Sequence, residues 1–281
     1  MARGMALPVA SRPRAVDKAC VDFETLFAEP MTLPRLILPL LMAAACALGG
    51  CAYNPDLGRD QLLIVNDNNL AAQGEKAWAE TLRNSYVSKE PRKNARVQAV
   101  GQRVITAAGL AGRPWDYAVF LDEAPNAFVL PGGHVGVTVG LLTLVENDDQ
   151  LAAVIGHEAG HVVARHAAER VSQETTSKVL LGIAKAAASG TEFGKLLKDH
   201  GEDATRYGLL LPFSRKQELE ADKLGVDFMQ RAGYRPREAV KLWRNMQALD
   251  GGKSGGDLGS THPSDAVRIQ ELERYLTSKG W

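Results

Sequence analysis

The chain is 281 residues long, 45% hydrophobic and 23% charged, and its 33 basic and 33 acidic residues leave a formal net charge of zero. A chain of this length and composition fits a compact enzyme. The balance argues against a nucleic-acid surface, since neither a basic run nor aromatic residues interleaved with basic ones appears.

Residues 1–30 hold scattered arginines and prolines without periodicity and are set aside from fold reasoning. Residues 33–45 have a basic start and an apolar centre too short and too broken by proline to span a membrane. They read as an export signal with Met31 as its natural start. Leu48-Gly49-Gly50-Cys51 closes this stretch and resembles a bacterial lipobox. The expectation is therefore a leader and lipoprotein signal over 1–50, lipidation and membrane attachment at Cys51, a polar tether over 51–65 and one enzyme domain over 66–281. Ala52, where Asp would signal otherwise, directs that expectation to the outer membrane, on the periplasmic side of a bacterial envelope. Cys20 and Cys46 would leave with the leader, so disulfides have no part.

Amphipathic patterns predict helices over 71–82 and 95–108, the second with Val97, Val100, Val104, Ile105 and Ala108 on one face. Short strands follow at 117–121, 127–130 and 134–139, the last two joined by a Pro131-Gly132-Gly133 turn. An exposed edge of such a sheet can hold an extended peptide through backbone hydrogen bonds.

Asn147, with Gln150 three residues on, resembles the cap of a helix that carries His157-Glu158-Ala159-Gly160-His161. Positions i and i+4 stack on one helical face, so both imidazoles reach a single metal while Glu158 points about 100° away, beside it. Zinc with three protein ligands keeps a position for water and lowers its pKa to about 7, where a carboxylate can take the proton. Ala153, Gly160, Ala164 and Ala168 share the histidine face and leave room for a neighbouring helix. His166 falls about 140° round a continuous helix from His161, either on the surface or behind a ligand. Residues 172–190 predict an apolar helix whose Lys178 and Lys185 keep it from crossing a bilayer, and the Gly-punctuated 191–211 is a candidate lid.

The third ligand has to come from a second helix, and Glu218, Glu220 and Asp222 are close together there. With Glu218 at zero, Asp222 (about 40°), Met229 (about 20°) and Gly225 (about 340°) join an apolar inner face. Glu220, Lys223 and Asp227 fall between about 140° and 200°, where they can pair with one another in water. A buried acid needs a cation. Glu218 is therefore the expected ligand and Asp222 the acceptor that fixes a liganding histidine, with Glu192 and Glu202 as the alternatives to Glu218. The Gly-rich segment 250–260 delivers His262 to a Pro-stiffened turn. There it could donate to the oxyanion of the scissile carbonyl, occupy the open metal position and hold the enzyme latent, or serve only local hydrogen bonding. Arg268 is a second oxyanion donor or a salt-bridge partner behind the ligands.

The pairing of His157-Glu158-x-x-His161 with Ser214-Arg215-x-x-Glu218-x-x-Ala221-Asp222 resembles the gluzincin peptidase family that includes HtpX, BepA, LoiP and the CAAX prenyl proteases. The stretch 126–135, Thr261-His262-Pro263 and Arg268-Ile269 share in it, and the resemblance spans 66–276, nearest to single-domain bacterial lipoprotein members of the LoiP kind. It implies an α+β, mainly helical zincin-type metallopeptidase with a small β-sheet above the zinc-binding helix, holding one Zn2+ per chain. It also implies that Asn126, Ala127 and Gly132 border the cleft, with His134 at the rim or in the turn, and that the substrates are unfolded or misfolded envelope proteins. Glu158 would act as general base. A different reading is a lipid-anchored holdase or assembly partner that binds extended chains with little cutting, which a complete metal set disfavours.

Overall fold

The computed structural model describes residues 50–187, 213–249, 262 and 266–281. The expected leader, the candidate lid at 191–211 with Glu192 and Glu202, and the Gly-rich segment at 250–260 lie outside the described residues.

Strands β1 (Cys51–Asn54) and β2 (Arg59–Leu62) pair antiparallel, Cys51 opposite Leu62 and Asn54 opposite Arg59. The segment read as a tether thus contains a paired hairpin. Its buried side chains, Asn54 and Gln61, are polar and donate to the Ala164 carbonyl at 3.4 and 2.8 Å. Burial through hydrogen bonds rather than apolar area leaves a sequence that looks solvated.

Helix α1 (Asp67–Asn84) starts at Asn66, whose side chain accepts from the Asn68 N–H, and α2 (Pro91–Ala107) has proline in its first turn, where the missing N–H costs nothing. The face of α2 expected to be inward is so: Val97, Val100, Val104 and Ile105 are buried. Strands β3 (Asp116–Phe120), β4 (Ala127–Leu130) and β5 (His134–Thr138) form a sheet in the order β3-β5-β4, with β3 parallel and β4 antiparallel to β5. β5 is central and every one of its residues is buried; the outer side of β3 bonds to residues 86–88 through Ser88 N–H to the Val119 carbonyl and Leu121 N–H to the Tyr86 carbonyl, so among the described residues β4 is the edge without a strand partner. The turn between them needs glycine, because Gly132 and Gly133 have φ of 107° and 106°.

Helix α3 (Val139–Leu144) leads into α4 (Asp148–Val163), whose N-terminus is capped by the Asn147 side chain accepting from the Gln150 N–H at 3.0 Å. All residues from Gln150 to His161 are buried, which makes α4 the central helix. It ends at Ala164, and Arg165 turns the chain with φ 55° before α5 (His166–Ala187) begins. Helix α6 (Arg215–Arg231) opens with a capping box of Ser214 and Gln217, and α7 (Arg237–Leu249) and α8 (Ala266–Ser278) complete the body. Leu151, Ile155, Met229, Leu242, Trp243 and Leu272 form the fully buried centre. The architecture is α+β and mainly helical with small sheets, as expected, and no described helix is long and apolar enough to cross a membrane.

Candidate metal centre

The site exists because α4 and α6 cross without side chains between them. A Cβ on Gly160 would stand 2.6 Å from the Ala221 carbonyl oxygen, and one on Gly225 would stand 2.8 Å from the His157 nitrogen. Contact that close places Glu218, one turn into α6, against both imidazoles of α4. His157, His161, Glu218 and His262 are all buried, and their ligand atoms lie within 4.8 Å of one another. The two histidine Nε2 atoms are 3.1 Å apart. Glu218 Oε2 is 3.3 Å from His157 Nε2, and Glu218 Oε1 is 3.5 Å from His161 Nε2. His262 enters the same ring, its Nδ1 2.9 Å from Glu218 Oε1 and 3.2 Å from His157 Nε2.

Each imidazole of α4 is held from behind. His157 Nδ1 lies 2.9 Å from Asp222 Oδ1, and Asp222 accepts from Arg268 Nε at 2.5 Å and Nη2 at 2.8 Å. Arg268 is 1% exposed, stacks 4.1 Å from the centroid of Trp243 and sits 2.8 Å from Glu218 Oε2, an ion pair without hydrogen-bond alignment. Of the two roles considered for it, this position serves the salt bridge. His161 Nδ1 lies 2.9 Å from His166 Nδ1, whose other nitrogen is 3.0 Å from Glu220 Oε2.

His166 is fully buried behind His161, the second of its two expected positions. The reason is the break at Arg165, which turns the chain and invalidates the angle drawn for an unbroken helix. Glu220 departs from expectation. It pairs with Arg59 and His166 instead of with Lys223 and Asp227, because the hairpin covers that side of α6.

The charges are those of a cation site. Burial opposes ionisation of Glu218, but His157, His161 and His262 hold its carboxyl far below the usual range. Burial likewise opposes ionisation of Asp222, and Arg268 and His157 bring it to about 2. Burial and Arg268 push His157 down, yet Glu218 and Asp222 override them and raise it to about 9, while burial keeps His161 well below its ordinary value. Glu218 Oε2 and Glu158 Oε1 are buried without a hydrogen-bond partner. Imidazole nitrogens plus one carboxylate oxygen are a donor set suited to zinc, so these residues fit such an ion.

Glu158 and His161 face a cleft of roughly 450 Å³ that is also lined by Leu70, Val129, Gly132 and Phe213. Gly132 thus borders the cleft. Asn126 and Ala127 stand at the start of β4, where Thr138 Oγ1 accepts the Asn126 N–H at 2.8 Å. His134 is buried, stacked on Trp78 with ring centroids 5.2 Å apart.

Residues 91–276 match peptidase family M48. The chain is 42% identical to the mitochondrial metalloendopeptidase OMA1 of Schizosaccharomyces pombe over 182 residues, 64% of this chain and 52% of that protein. It is 32% identical to the Arabidopsis thaliana protein of the same name over 233 residues, 80% of this chain and 45% of that one. The beta-barrel assembly-enhancing protease of Escherichia coli is 25% identical over 188 residues, 65% of this chain and 38% of that one. The chain thus spans about half the length, or less, of these relatives.

Two expectations are corrected by these likenesses. Mitochondrial enzymes of a fungus and a plant point away from a bacterial outer membrane, and the expected nearness to lipoproteins of the LoiP kind gives way to OMA1. The outer-membrane expectation rested on a four-residue pattern and the residue after it, and so short a pattern carries little specificity. Fold and likeness agree: the chain belongs to peptidase family M48.

Proposed function

We propose that the chain is a zinc-dependent endopeptidase acting on extended segments of unfolded polypeptide. The observation that carries this reading is the buried Glu158 carboxylate, with Oε1 lacking a hydrogen-bond partner, at the wall of a cleft that His161 also lines, together with the convergence of His157, His161 and Glu218. Those three residues would hold the zinc, which when bound supplies Lewis acidity and lowers the pKa of a water to about 7. Glu158 would hold on its carboxylate the proton that a water gives up as its oxygen bonds to the scissile carbonyl, and would return it to the leaving amine as the C–N bond breaks. Asp222 accepts from His157 Nδ1–H and so keeps the Nε2 lone pair turned into the ring.

The open edge at β4 offers backbone groups to a strand-like substrate, which gives affinity with little sequence preference. Leu70, Val129 and Phe213 add an apolar wall, so the cleft favours segments that a folded protein would bury. His262 stands within the ligand ring, where a scissile carbonyl would need room, and we read it as holding the site closed.

The test is Glu158→Gln in the full chain, assayed for zinc content and for cleavage of unfolded casein. Retained zinc with lost cleavage supports the assignment. Cleavage at the wild-type rate removes Glu158 from the mechanism, and chelator-insensitive binding of casein without cleavage favours a holdase.

A further inference from the structure

We infer that Arg59, on the hairpin outside the family match, is a positioning residue for the metal ligand His161, acting through Glu220 and His166. This rests on the metal-centre reading above. Arg59 Nε donates to Glu220 Oε1 at 2.7 Å and Nη2 donates to Oε2 at 2.8 Å. The same Oε2 is 3.0 Å from His166 Nε2, and His166 Nδ1 is 2.9 Å from His161 Nδ1. The far nitrogen of His161 is the one in the ligand ring.

With a neutral His166, the direction of every bond in this chain follows from its first member. A guanidinium has only donors, and a carboxylate gripped by it has only acceptors. Glu220 therefore accepts from His166 Nε2–H. His166 is then left with a lone pair on Nδ1, which accepts from His161 Nδ1–H. His161 Nε2 consequently presents a lone pair to the metal position. Without the arginine and the carboxylate, either tautomer of His166 is available, and with one of them two N–H groups confront each other. The relay fixes both the tautomer and the ring plane of a ligand. It parallels the route from Arg268 through Asp222 to His157, so each α4 imidazole is oriented by a different arginine.

Arg59 is itself fixed at several points. Its Nη1 and Nη2 donate to Glu169 Oε1 and Oε2 at 2.7 and 3.0 Å, so one guanidinium clamps an acid of α5 and an acid of α6. Gln61 and Gln217 both donate to Glu169 Oε2 at 3.0 Å, and Gln61 also holds the Ala164 carbonyl where α4 ends. The planar fork is what spans two carboxylates, and a lysine ammonium cannot reproduce it. The hairpin over 50–62 is thus part of the metal centre.

The test uses the full chain and two readouts that do not depend on catalysis: zinc affinity by competition with a chromogenic chelator, and the visible absorption of the cobalt-substituted protein. Arg59→Met and Glu220→Gln are expected to weaken zinc binding about 10- to 100-fold and to shift the cobalt bands. Arg59→Lys should recover only part of the affinity. Arg244→Met, which breaks an exposed pair with Glu273, should change neither readout. Circular dichroism identifies any variant that fails to fold; Glu220→Gln and Arg59→Lys, which keep size and most packing, then carry the test. Wild-type affinity and spectrum in folded variants overturn the inference. A wild-type chain that binds no zinc overturns the metal-centre reading itself.

Discussion

Gly156 and Gly225 meet where the two ligand-bearing helices cross: a Cβ on Gly156 would stand 2.9 Å from the Gly225 carbonyl oxygen. The catalytic geometry depends on that contact, since a wider spacing carries Glu218 away from the α4 imidazoles. Gly225→Ala should cost about 1–3 kcal/mol of stability through overpacking and should weaken zinc binding at the same time. Gly182→Ala is the control, because nothing lies within 4 Å of its Cβ position and alanine favours a helix. Thermal unfolding and chelator competition read the two effects; an unperturbed Gly225→Ala would mean the helices have slack.

Glu218 and Glu220 are two residues apart and should respond differently to removal. Glu218→Ala takes away a ligand and should leave the dialysed protein without zinc. Glu220→Ala should retain close to one equivalent at saturating zinc but release it at lower chelator concentrations. Equal and complete loss in both would shift the ligand assignment to another acid.

His262 offers a test of what keeps the site quiet. Its Nε2 is also 3.5 Å from Glu158 Oε1, so it crowds both the ligand ring and the base. His262→Ala should raise casein cleavage several-fold with zinc content unchanged. A fall in cleavage would instead place His262 among the groups that stabilise the oxyanion.

Glu238 predicts a pH effect away from the metal. It accepts from Lys241 at 2.6 Å and from Asn147 and Gln150 at 3.1 Å, which ties α7 to the capped start of α4. The Lys241 hydrogen bond above all, against the opposing effect of burial, lowers its pKa from 4.5 to about 2. A carboxyl depressed in the folded state binds fewer protons there than in the unfolded state, so its contribution is complete above pH 4.5 and fades as pH falls toward 2. The stability gap between wild type and Glu238→Gln, measured on metal-free protein, should therefore narrow across that window. A constant gap would show that the charge is not the stabilising element.

The cluster of His157, His161 and Glu218 could be read from the chain because helical spacing is local: it places His157 over His161 and Glu218 beside Asp222 without knowledge of the fold. The β4–β5 hairpin was readable for a similar reason, since its turn demands glycine at positive φ. What escaped was non-local. β3 pairs with β5 across the intervening β4, a partnership no pattern within either strand announces. The β1–β2 hairpin was hidden because Asn54 and Gln61 bury themselves by hydrogen bonds to a helix end far along the sequence. His166 could be placed only as one of two alternatives, because a helix break at a non-glycine residue sets its direction, and Glu220 was misplaced because a helical angle names a side but not what covers it.

The central claim is that one metal ion sits between His157, His161 and Glu218. Anomalous diffraction at the zinc edge, from crystals of the full chain grown with equimolar zinc, tests it most directly. The account predicts one peak about 2.0–2.2 Å from His157 Nε2, His161 Nε2 and a Glu218 carboxylate oxygen. A peak held by other residues, with Glu218 turned away from both rings, would contradict it.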